Sequence, residues 1–115
     1  MDAKPDAPLA AIPDALRIAL AGELTVFTAA AVRERLLTAL GGAAEVEVDL
    51  AQVCEIDSAG VQLLLAAKLE AAALQAELGF TGHSAAVLDI LALCDLGARL
   101  DAPLPARAPD KEEPQ

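Results

Sequence analysis

The sequence predicts one α/β domain, and three observations predict it. "AEVEVDL" alternates apolar and acidic residues as a half-buried strand does. Two longer segments carry apolar residues at helical spacing. The order along the chain is strand, helix, strand, helix, strand, helix, strand, which favours helices layered on a mostly parallel or mixed sheet. With 115 residues, 56% of them hydrophobic, the chain is long enough to bury a modest core.

Each element has its own signal. In "LRIALAG", Leu16, Ile18 and Leu20 share one strand face with Arg17 opposite, and Gly22-Glu23 marks the exit. A helix follows in "FTAAAVRERLLTAL", with Thr28 as N-cap and Ala29, Val32, Leu36 and Leu40 on one face. Phe27, just before the cap, is placed to fold onto Val32 as a hydrophobic staple. Gly41-Gly42 is expected to end that helix in the left-handed geometry glycine tolerates. Val46, Val48 and Leu50 then face the core while Glu45, Glu47 and Asp49 face water. A second helix is predicted from about Ala59 to Gln75, a short strand in "AELGFTG", and a third helix in "SAAVLDILALCDL". Ser84 caps that helix, with Val87, Leu88, Leu91 and Cys94 inward. A brief strand near Ala98 to Leu100 completes the set. The domain is expected over residues 9–101, between flexible tails at 1–8 and 102–115 that are rich in Pro and charge.

Composition excludes several functions. Eight Lys and Arg stand against eighteen Asp and Glu, a net charge of −10, and Trp and Tyr are absent. Nucleic-acid surfaces need basic patches and often aromatic platforms, and anionic membranes also attract basic segments. Lys68 and Glu70 interrupt the longest apolar stretches, so no run nears the roughly 20 residues of a spanning helix. The N-terminus lacks a secretory pattern, so a cytoplasmic location without membrane insertion is expected. Cys54 and Cys94 are expected to be reduced, mostly buried thiols, with an inter-helix disulfide as the minor alternative.

No phosphate loop, Cys/His metal cluster or nucleophile elbow is present in the sequence, so no metal, cofactor or catalytic role is expected. The single histidine, His83 in "TGHSAA", reads as a turn residue. The chain reads as a binding module and not as an enzyme. Its most informative stretch is "CEIDSAGVQLLL", where Glu55, Asp57 and Ser58 precede an apolar helix. Asp57 and Ser58 fit ordinary capping, worth about 0.5–2 kcal/mol for such residues in general. The same geometry also exposes a hydroxyl where a phosphate, adding about −1.5 to −2 charges, leaves the fold intact but opposes a docked partner.

"LAGELTVFTAAAVRERLLTAL", "VEVDLAQVCEIDSAGVQLLLAAKLEA" and "LGFTGHSAAVLDILALCDL" together resemble the STAS domain of bacterial anti-sigma factor antagonists over about residues 14–101. The specific parts are Gly22-Glu23-Leu24 before the first helix and Asp57-Ser58-Ala59-Gly60 before the second. The resemblance implies a STAS-type fold, a four- to five-stranded mixed sheet with helices mainly on one face. It also implies phosphorylation of Ser58 by a partner serine kinase that is itself the anti-sigma factor. The expected contact surface is Thr25, Phe27, Glu55, Asp57, Ser58, Ala59, Gly60 and Val61, with Phe27 and Val61 as apolar anchors. Thr25 stands where many antagonists have Asp, and Ala59 where many have a second hydroxyl. The same family resemblance admits two other roles: a non-enzymatic subunit binding the ATPase of a lipid-transport ABC complex, or a scaffold contacting a chemosensory protein in a signalling array. A monomer or weak dimer is expected.

Overall fold

The computed structural model describes residues 15–103. The tail at residues 1–8, and all but Ala102 and Pro103 of the tail at residues 102–115, lie outside the described residues. Three parallel strands, β1 (Ala15–Leu24), β2 (Glu45–Ile56) and β3 (Glu77–Thr81), form a sheet in that order. Helices α1 (Ala29–Gly42) and α2 (Ser58–Ala73) are the two crossovers, and α3 (Ala85–Cys94) follows β3. Among the described residues the sheet has three strands. The segment Ala98–Leu100, expected to be a fourth, is a 3₁₀ turn that buries Leu100.

Register explains the layers. Leu16, Val46 and Leu78 are partners across the sheet, as are Ile18, Val48 and Phe80. Val46, Val48, Leu78 and Phe80 are buried, joined by Leu36 and Leu40 of α1 and by Val61, Leu64 and Ala67 of α2. Arg17 and Glu47, on the opposite sheet face, pair at 3.1 Å in solvent. An exposed pair of this kind adds little to stability. Leu16 is 39% exposed at the start of β1, so burial deepens along that strand toward Leu20 and Leu24.

Strand β2 does not stop at Leu50 as the period-two pattern suggests. Two register shifts, between Ala19 and Ala21 and between Gly22 and Glu23 on β1, each place an extra residue on β2. Asp49 Oδ1 accepts the Ala51 N–H at 2.9 Å beside the first of them. The shifts change the phase of burial from Val46, Val48 and Leu50 to Val53. Bulges bend a strand and re-aim its side chains. Here they turn Cys54 and Glu55 outward, which corrects the expectation of a buried Cys54. Gly22, at φ +81°, sits inside β1 and not at its exit, and the strand runs on to Leu24.

Helix termini also differ from expectation. The left-handed residues after α2 and α3 are Gln75 and Asp95, whose neighbours close the ends by Ala76 N–H to Ala71 O and Leu96 N–H to Leu91 O. Gly41 and Gly42 are not left-handed; they are the last residues of α1, followed by extended Ala43. On α3, Ser84 caps as predicted, accepting the Val87 N–H at 3.2 Å. Val87 and Leu91 face the core, but Leu88 and Cys94 face solvent because the buried stripe of this short helix is only one residue wide per turn.

The C-terminal turn is fastened to the sheet edge. Asp101 Oδ2 accepts the Phe80 N–H at 2.9 Å and meets Lys68 Nζ at 2.7 Å, while the His83 ring bonds Leu100 O at 2.7 Å. His83 is thus a structural tie. Asp101→Asn is expected to cost about 1 kcal/mol, one charged hydrogen bond and a half-exposed ion pair weakened together. A urea midpoint unchanged from the parent chain contradicts that assignment.

Candidate functional site

The end of β1 and the start of α2 meet so closely that one residue type fits between them. A Cβ on Gly60 would lie 2.1 Å from Leu24 O and 2.9 Å from Ile56 Cγ1. Glycine at this position therefore allows the first turn of α2 to sit against the β1 backbone. Leu24 O also accepts the Asp57 N–H at 3.3 Å, which fixes the same junction from the other side.

Asp57 is the N-cap of α2, in extended backbone at φ −118°. Its Oδ1 accepts the Gly60 N–H at 3.0 Å, the capping bond foreseen from the sequence. Its Oδ2 accepts the Val26 N–H at 3.1 Å, from the loop between β1 and α1. One carboxylate thus joins two loops that are 31 residues apart in the chain. These N–H groups, Gly60 first and Val26 next, hold the Asp57 carboxyl below its ordinary value against a smaller opposing effect of desolvation. The charged form is the one they stabilise. Its contribution to stability is complete at neutral pH and is lost as pH falls through that lowered value.

The loop facing Asp57 is held by its own hydrogen bonds. Thr28 does not cap α1 with its side chain; Oγ1 turns back to donate to Glu23 O at 2.9 Å and accept the Thr25 N–H at 3.0 Å. Thr25 Oγ1 accepts the Phe27 N–H at 3.3 Å, and Thr25 O accepts the N–H groups of Thr28 and Ala29. With its backbone thus satisfied, the loop presents Phe27 at 90% exposure and Val26 at 64%. Phe27 does not fold onto Val32, so the staple is absent. Burying a Phe side chain is generally worth about 1.5–3 kcal/mol, and the isolated domain forgoes most of it here.

The predicted site residues divide into two groups. Phe27, Glu55 and Ser58 are exposed, and Asp57 and Ala59 are half-buried beside them. Thr25, Gly60 and Val61 are buried in the isolated domain, unlike the other residues of the expected contact surface. Thr25 and Gly60 shape the loops, and Val61, at 3% exposure, points from the first turn of α2 into the core. Val26 and Glu23 are the surface residues that sequence reasoning missed. Glu23 and Glu55 are register partners on β1 and β2 and both are exposed, at the strand ends that lead into the two loops. A groove of about 600 Å³, lined by Glu45, Lys68, Glu77 and Asp101 among others, lies elsewhere along β3. No group of three or more His, Cys, Asp or Glu among the described residues is arranged to hold a metal ion. No helix among them is long and apolar enough to cross a membrane.

Comparison with known proteins agrees with this fold. A family model described as "Mlab, STAS domain" matches residues 9–104. The solved structure of the anti-sigma factor antagonist SpoIIAA in its unphosphorylated form is 23% identical, with a TM-score of 0.59, and the match covers 70% of this chain and 73% of that one. A SulP transporter STAS domain from Vibrio cholerae is 18% identical at TM-score 0.59, covering 76% of this chain and 68% of that one. A sulfate transporter family protein from Wolinella succinogenes is 16% identical at TM-score 0.60, covering 76% and 71%. At these identities the likenesses show the shared fold. The curated proteins contain no match. With most of its length covered by one family model, and with the α/β architecture of a solved STAS domain, the chain belongs to the STAS domain family.

Proposed function

We infer that this domain is a protein-docking module of the anti-sigma factor antagonist type, switched by phosphorylation of Ser58 by a partner serine kinase. The carrying observation is the juxtaposition of an exposed serine with an exposed apolar pair. Ser58 is the first residue of α2, and Asp57 beside it is bonded to the loop that presents Val26 and Phe27. A partner fits this surface if it offers an apolar pocket for Phe27 and basic groups for Glu23 and Glu55. A phosphate on Ser58 adds about −1.5 to −2 charges next to Asp57 and desolvates poorly under a docked protein. Because Ser58 lies at the exposed amino end of a helix, the added anion leaves the core untouched. The fold persists while docking is lost.

The match to the Mlab family model favours a second reading on the same surface, a non-enzymatic STAS subunit docked on the ATPase of a lipid-transport ABC complex. That role needs no phosphate. The two readings separate in one experiment. On the first, chain purified from its native cells and treated with the captured kinase and ATP gains one phosphate, which Ser58→Ala abolishes. Ser58→Asp weakens capture of that kinase more than tenfold at an unchanged melting temperature. A mass shift that survives Ser58→Ala contradicts the assignment. Recovery of an ATPase subunit, with no phosphate at any position, establishes the second reading.

A further inference from the structure

We propose that Asp57 is the positioning residue of the docking surface, acting on Phe27 through the Val26 backbone and not by touching the partner. The inference rests on the docking role proposed above and assigns to this carboxylate a task that capping alone does not require. A cap needs one acceptor oxygen, and Oδ1 supplies it to Gly60 at 3.0 Å. The second oxygen is spent on a different element, the Val26 N–H at 3.1 Å. Val26 directly precedes Phe27, whose own N–H is held by Thr25 Oγ1 at a longer 3.3 Å. The two bonds together hold the peptide units on either side of Val26 while both side chains project into solvent at 64% and 90% exposure.

An exposed aromatic on a loose loop loses conformational freedom when it docks, and a loop already ordered avoids that loss. Without the Asp57 bond the Val26 N–H has no other partner in the loop's hydrogen-bond pattern, where Thr25 and Thr28 are already engaged with each other. The bond also makes the serine turn and the aromatic loop one unit. Ser58 is adjacent to Asp57 in the chain, so a phosphate there acts on the same carboxylate that orders Phe27. The depressed carboxyl agrees with both bonds being made at once.

Asp57→Asn tests this directly. Asparagine is as good a cap as aspartate but offers one acceptor oxygen, so the Gly60 bond survives and the Val26 bond does not. Amide hydrogen exchange on the full ¹⁵N-labelled chain is expected to quicken at Val26 by at least about tenfold in Asp57→Asn, with Gly60 unchanged. Asp57→Ser, which also caps with one oxygen, gives the same result should the amide variant fold poorly. Loss of the Val26 bond is expected to lower the melting temperature slightly, and binding of either variant to the partner captured by the parent chain, measured well below that temperature, is expected to weaken about tenfold. Unaltered Val26 exchange overturns the inference, and so does faster exchange with full binding. Phe27→Ala binding as tightly as the parent removes the docking role itself, an outcome distinct from both.

Discussion

Gly60→Ala is expected to destabilise the domain by about 3 kcal/mol, the upper end of the usual cost of overpacking. The added methyl group meets Leu24 O at 2.1 Å and Leu24 C at 3.0 Å, both of them backbone. Neither atom yields as a flexible side chain would. Leu24 O cannot retreat without stretching its bond to the Asp57 N–H, and the Leu24 side chain, 1% exposed, is fixed in the core. The strain is relieved only by lifting the first turn of α2 from the sheet. For a domain near 90 residues the loss amounts to roughly 12–24 °C in melting temperature. Gly41→Ala is the matched control. A Cβ there meets no atom within 4 Å, and the residue is helical, so alanine is expected to raise stability by about 0.5–1 kcal/mol. Equal melting temperatures for the two variants contradict the close-approach account.

Phe27→Ala is expected to act in the opposite way, on docking and not on folding. At 90% exposure the ring contributes almost nothing to the core, so the unfolding midpoint should stay within error of the parent. An aromatic anchor seated in a partner's pocket commonly costs 2 kcal/mol or more on truncation, which is about 30-fold in affinity. Isothermal titration with the captured partner reads this loss. Binding within twofold of the parent removes Phe27 from the interface and leaves the Ser58 turn without an apolar anchor.

Much of the architecture is legible in the sequence because it follows from periodicity. Val46, Val48 and Leu50 alternate with acids; Leu36 and Leu40, and Val87 and Leu91, sit one turn apart, and each pair is buried as that spacing implies. Ser84 and Asp57 were recognisable as caps for a local reason, a short acceptor side chain three residues ahead of an N–H. What escaped depends on contacts distant in the chain. The bulges in β2 are set by pairing with β1, so the shift of burial to Val53 and the exposure of Cys54 have no signature within "AQVCEI". The Asp57 to Val26 bond likewise has no sequence signal.

The candidate site shows the same division. The Asp-Ser-Ala-Gly turn announces a helix start, and family resemblance points to Ser58. The direction of each neighbour was not readable. Val61 lies inside because the first turn of α2 is pressed against Leu24, whereas Phe27 lies outside because Thr25 and Asp57 hold its loop. Two apolar residues expected to act alike have opposite environments. Local hydrophobicity cannot separate them.

On the proposed function, a partner protein seats on Phe27 and leaves when Ser58 carries negative charge. The most direct test is a photo-crosslinking amino acid placed at position 27, with position 17 on the opposite sheet face as control, irradiated in the native cell extract. One discrete adduct is expected from position 27 and none from position 17, with that adduct lost when Ser58→Asp is added. An adduct unaffected by Ser58→Asp, or one formed from position 17 alone, contradicts it.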